Sequence, residues 1–199
     1  MSVREMKKFL GALGRLAAKE ISVPAEPHVV MDAFCTAMTV RTGRPIQLVF
    51  RAFPDAVGVS GLRLALEDRS VIVVEERVPP AAQLVILGHE LWHEHQGDCG
   101  HHLGTASAAA RSAPEDPTAV ERAVQQILAQ TEVPQEALQA VAARAESSDS
   151  HETDAETFGL LFGSRVRTWL TGRYARGGAT TTTVEGRITA SLSGRHGIL

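Results

Sequence analysis

The sequence predicts an α+β fold, and three observations predict it. Two helix-like stretches open the chain, three short strand-like runs follow between Pro45 and Val74, and a long helix then carries His89-Glu90-Leu91-Trp92-His93. Strands grouped together, rather than alternating with helices, leave room for one βαβ crossover at most, which argues against a doubly wound sheet. The expected core is a short three-stranded antiparallel sheet packed on the helix of the H-E-x-x-H pattern, with the other helices flanking it.

Each element has its own signal. Phe9, Leu10, Leu13, Leu16 and Ala17 recur at helical spacing, with Arg and Lys on the other face, so the first element is an amphipathic helix. Pro24 and Pro27 break it, and a second helix is expected from His28 to Arg41, ending at Gly43. His28 has no ligand-spaced partner and reads as structural or exposed. Ile46, Leu48, Val49 and Phe50 mark a first strand within Pro45–Phe53. Val57 to Leu66 alternates and reads as a half-buried second strand, Glu67-Asp68-Arg69-Ser70 as a turn, and Val71-Ile72-Val73-Val74 as a third strand. Pro79-Pro80 then provides a helix start and Gly97 a stop, with Leu84, Leu87, Leu91 and Trp92 as the apolar stripe.

Composition bounds what such a fold can be. With 199 residues, 44% of them hydrophobic, the chain suits one sizeable packed domain. A net charge of −3 marks neither nucleic acid nor an acidic membrane as the main partner. Arg15 and Lys19 interrupt the apolar residues of the N-terminus, so it has no signal-peptide core. No apolar run approaches the roughly 20 residues that span a bilayer. Cys35 and Cys99, the only cysteines, read as free thiols, with a single disulfide as the alternative. The expectation is a soluble cytoplasmic protein.

The chemistry lies in residues 89–93. Residues four apart on a helix face the same way, so His89 and His93 can chelate one divalent metal. Glu90 directly follows the first ligand, where its carboxylate can reach water activated by that metal and act as general base. This is the machinery of a zinc-dependent peptidase. The longer metzincin pattern is absent: Gln96 stands where its glycine belongs and Cys99 where its third histidine belongs, and all four methionines precede the site.

A catalytic zinc usually takes three protein ligands. Glu152 is the best candidate for the third, at the start of a helix capped by Asp149 or Ser150 and buried through Phe158, Leu161 and Phe162. Glu156, one turn later, is a candidate hydrogen-bond acceptor for a ligand histidine. Small Ala155 between them permits close helix packing. An acidic first turn favoured by the helix dipole explains both carboxylates equally well from the residues alone.

At these two motifs the chain resembles the ImmA/IrrE-type metallopeptidases. Members of that family pair H-E-x-x-H with a downstream helix of the form E-x-x-A-D/N-x-F-A-x-x-L-L. Here Glu152-Thr153-Asp154-Ala155-Glu156-Thr157-Phe158-Gly159 matches it, with Glu156 for the Asp or Asn and Gly159 for the Ala. The resemblance covers about Val30 to Leu170. It implies a zincin-like fold, one zinc ion held by His89, His93 and Glu152, and Glu90 as the catalytic carboxylate. It also implies site-specific cleavage of a helix-turn-helix transcriptional repressor or antitoxin partner, in a stress or mobile-element response. The composition is similar to actinobacterial members, often labelled toxin components of toxin–antitoxin pairs. Candidates for the donor that stabilises the oxyanion are His101, His102, His151 and Tyr174; His95 sits near the opposite helix face.

The chain also departs from the family. Glu152 lies 59 positions after His93, a longer gap than usual, filled by an Ala- and Gln-rich insert at about 104–149. Helices are expected there at about 118–130 and 135–145. Residues 1–171 are expected to form one domain, and 172–199 a flexible basic tail with a short helix at 184–192. The tail is expected to be solvated rather than to bind nucleic acid. The alternative to a peptidase is a non-proteolytic regulator or toxin–antitoxin component that uses the same fold for binding.

Overall fold

The computed structural model describes residues 2–53, 59–97, 106–110 and 149–175; the side chains of 59, 106–110 and 149–151 are not among those described. Helix α1 (Val3–Glu20) starts at a reciprocal cap between Ser2 and Glu5. The Ser2 hydroxyl accepts from the Glu5 N–H, and the Glu5 carboxylate accepts from the Ser2 N–H at 2.9 Å. Its buried face is Met6, Phe9, Leu10, Leu13 and Ala17. Helix α2 (Pro27–Thr42) has Pro27 in its first turn, where the missing N–H costs nothing. It ends at Gly43, whose φ of 74° allows its N–H to reach the Thr39 carbonyl.

Strands β1 (Ile46–Arg51), β2 (Val59–Ala65), β3 (Ser70–Glu75) and β4 (Ala106–Ala110) form one sheet in the order β1-β3-β2-β4. β2 and β3 make an antiparallel hairpin, closed by a 2.8 Å bond from the Leu66 N–H to the Arg69 carbonyl. β1 pairs with the other edge of β3 and is parallel to it, Ile46 opposite Ser70 and Arg51 opposite Glu75. β4 runs antiparallel along the outer edge of β2.

The expectation of three antiparallel strands is therefore corrected on two counts: among the described residues the sheet has four strands, and it is mixed. The cause lies in β3, all six of whose residues are buried. An uninterrupted Val71–Val74 run is apolar on both faces and suits a strand covered on both, and β3 takes that interior place with β1 and β2 on its two edges. Two chain reversals separate β1 from β3, and pairing these two strands directly makes the contact parallel. The stretch expected to open a helical insert begins instead with β4. Its Ala-rich sequence favours helix locally, but the free edge of β2 offers it a ladder of hydrogen bonds. The helices expected at 118–130, 135–145 and 184–192 lie outside the described residues.

Helix α3 (Pro80–Gln96) packs between the sheet and helix α4 (Asp149–Val166). It is enclosed on almost every side: Gln83, Glu90 and Glu94 are buried along with Leu84, Leu87, Leu91 and Trp92. It is thus a central helix rather than the one-sided amphipathic helix expected. α4 runs antiparallel to it, with Glu152 near His89 and His93 while Gly163 lies against Val85. Phe34, Trp92, Phe158 and Phe162 fill the interior between α2, α3 and α4. A 3₁₀ turn (Arg167–Trp169) leads to the one-turn helix α5 (Gly172–Ala175), where a flexible linker was expected to begin. This end of the chain is tied to the α1–α2 connection by bonds of 2.9 Å from the Ala25 N–H to the Trp169 carbonyl and from the Thr171 N–H to the Ala25 carbonyl. Among the described residues no helix is long and apolar enough to cross a membrane.

Candidate metal centre

The C-terminal half of α3 and the first turn of α4 bring three ligand side chains together. Taking one ligand atom from each of His89, His93 and Glu152, all three lie within 4.8 Å of one another. The two imidazole Nε2 atoms are 3.1 Å apart. The Glu152 carboxylate straddles them, with Oε2 3.4 Å from His89 Nε2 and Oε1 3.4 Å from His93 Nε2. A tetrahedral ion with bonds of about 2.0–2.1 Å needs ligand atoms roughly 3.3–3.4 Å apart. The closest approaches between the three side chains have that size, and the donor set of two nitrogens and one carboxylate suits zinc. The site is partly open: the Glu152 side chain is 29% exposed, against 7% and 11% for His89 and His93.

The electrostatics favour a cation here. Burial of the His89 imidazole opposes its protonation, but the Glu152 hydrogen bond and the charges of Glu90, Glu152 and Glu156 outweigh it. Its pKa is raised as a result. The same field attracts a proton or a metal ion, and the two compete for the same nitrogen. Glu90 is fully buried within α3, close enough for its charge to act on His89.

The other candidates sort themselves by place. His101, His102 and Cys99 lie outside the described residues. His151 occupies the first turn of α4 beside Glu152, and its side chain is outside the description. Tyr174 belongs to α5, beyond the end of α4 opposite Glu152; α4 rises about 21 Å between Glu152 and Val166. Its ring is covered by the Arg173 guanidinium at 4.5 Å. Glu156 is exposed and, among the described residues, makes no hydrogen bond to either histidine, so the expected acceptor role is not what the structure gives it. Its charge acts on His89 and raises that imidazole's pKa. His95 stacks on Phe9 with ring centroids 3.9 Å apart, turned towards α1. His28 is exposed and stacks on Phe50. Cys35 is buried; desolvation first, then the charges of Asp32 and Glu94, push its thiol pKa up and leave it unreactive.

The residues that hold α3 in place were not found in the sequence. Arg63 and Ser70 project from β2 and β3 onto the carboxylate of Glu94, which pairs with Arg63 Nε and accepts a 2.8 Å bond from the Ser70 hydroxyl. Arg44 adds a 3.0 Å bond to that hydroxyl. The alternation of β2 pointed Arg63 towards solvent. In fact Leu62 and Leu64 are buried with Val71 and Val73 on one face, and Arg63 is buried with Ile72 on the face towards α3. A strand covered on both faces gives alternation no solvent side to report. Comparison with known proteins finds no match to this chain among family models, curated proteins or solved structures.

Proposed function

We propose that this chain is a zinc-dependent metallopeptidase of the ImmA/IrrE type. His89, His93 and Glu152 hold the metal, and Glu90 is the general base. The observation that carries this reading is the convergence of three ligand atoms from two helices, across 59 positions of sequence, onto one partly open site. Zinc bound there would supply a Lewis acid for the scissile carbonyl and a water acidic enough to lose its proton near neutrality. Glu90 takes that proton as the peptide carbonyl is attacked and passes it to the departing amine. Burial keeps the Glu90 carboxylate away from bulk water that would otherwise exchange the proton. The substrate we propose, on the resemblance of the two motifs, is a helix-turn-helix repressor or antitoxin partner cut at one site.

One observation favours the second reading, a non-proteolytic binding protein: Glu90 is 0% exposed, as a carboxylate with a purely structural role would be. Metal analysis and cleavage assays separate the two. Wild type and Glu90→Gln are expected to carry about one zinc per chain, and His93→Ala and Glu152→Ala to lose it. Cleavage of the cognate repressor should fall by roughly 10²-fold or more in Glu90→Gln. Cleavage that survives this substitution rules out the peptidase mechanism. A wild-type protein that takes up no zinc leaves the binding reading in front.

A further inference from the structure

Where α3 and α4 cross, the facing residues are glycines: Gly88 on α3 and Gly159 and Gly163 on α4. A Cβ on Gly163 would meet the Val85 side chain, with Cγ2 at 2.6 Å, and would stand 3.4 Å from the Val85 backbone nitrogen, at ordinary contact distance. A Cβ on Gly159 meets backbone instead, 2.7 Å from the Val85 carbonyl oxygen and 3.2 Å from the His89 nitrogen. In an α-helix that oxygen accepts the hydrogen bond of that nitrogen. A methyl at 159 would press on the bond that carries the first ligand histidine. Ordinary contact begins near 3.4 Å, so α4 would have to retreat by several tenths of an ångström. Glu152 lies about two turns further along the same rigid helix. Ligand sites lose function when displaced by about 0.5–1 Å.

We infer that Gly159 is a positioning residue for the metal centre: lacking a side chain, it lets α4 approach the His89 turn closely enough for Glu152 to reach both imidazoles. This inference rests on the proposed metal site and on the spacing of this chain's own helices: the alanine that the family motif carries at this position needs a wider crossing than the one here, where its Cβ would lie 2.7 Å from the Val85 carbonyl oxygen. Gly88 makes the same approach from the facing helix, where a Cβ would lie 3.1 Å from Gly159 Cα and 2.6 Å from Phe162 Cβ.

The test is zinc affinity, measured by competition with a chromophoric chelator and set against the thermal stability of each metal-free protein. Gly159→Ala is expected to weaken zinc binding by about tenfold or more relative to Gly163→Ala, beyond any difference in their stability. Equal zinc affinities in the two variants would overturn the inference and leave the glycines as packing alone. Gly88→Ala, expected to behave as Gly159→Ala does, replaces it if that variant does not fold. Wild type that binds no zinc removes the proposed function but not this test, because crystal structures of the metal-free variants read the geometry directly. Glu152 drawn away from His89, beyond the 3.4 Å of the wild type, supports the positioning role; an unmoved carboxylate refutes it.

Discussion

At the scale of single residues, the buried polar groups govern both stability and its pH dependence. The Arg63 and Glu94 side chains are 5% and 3% exposed. Removing the carboxylate would leave a buried guanidinium without its counter-charge, so Glu94→Ala is expected to cost about 3–5 kcal/mol in urea unfolding. A loss under about 1 kcal/mol would show that Arg63 finds water or another acceptor. Glu75 behaves differently. Burial pushes its pKa up, but hydrogen bonds from the Arg77 side chain and from the Arg77 and Phe53 N–H groups, with the Arg77 charge, outweigh it and hold it at about 2. A pKa below the unfolded value of 4.5 means that the ionised carboxylate stabilises the fold above pH 4.5. That contribution fades as the pH falls from 4.5 towards 2. Glu75→Gln should therefore be less stable than wild type near neutrality, and the gap should close across that window. A gap of constant size from pH 6 to 2 would assign the loss to packing.

At the scale of elements, ends were easier to read than neighbours. Gly43 and Gly97 were legible as helix stops because both adopt positive φ, at 74° and 53°, where other residues are strained. Gly43→Ala is expected to cost roughly 1–2 kcal/mol, seen as a lowered thermal midpoint, since the turn from α2 into β1 depends on that conformation. No change would mean that the turn relaxes to another geometry. The two H-E-x-x-H histidines were legible for the same local reason: helical spacing alone puts them on one face. The order of the strands was not legible beforehand: the unbroken Val71–Val74 run told only that both faces of β3 are covered. Alternation reports which face of a strand is covered, but not which strand lies beside it.

At the scale of the molecule, the candidate metal joins two helices that the chain separates by a long segment. Binding there stabilises the folded state only, since the unfolded chain has no preformed site. Zinc at about 100 times its dissociation constant should add about 2.7 kcal/mol. For a chain of this size that raises the thermal midpoint by roughly 5–10 °C. EDTA should reverse the shift, and His93→Ala and Glu152→Ala should lack it. A midpoint indifferent to saturating zinc would count against a metal bridge between α3 and α4.

By itself the sequence determined what is local: the helix spans, the helix stops, the pairing of His89 with His93 and the placement of Glu90 beside them. Those follow from 3.6-residue periodicity and backbone sterics, which act over a few positions. Glu152 was only a candidate from its own surroundings, because an acidic first turn is favoured on any helix. The tertiary structure alone decided that its carboxylate meets both imidazoles, that β3 is central with β1 parallel beside it, and that Arg63 turns inward to Glu94. Each of these depends on which surfaces are buried against each other across tens of residues, and burial of that kind leaves no periodic trace in the chain.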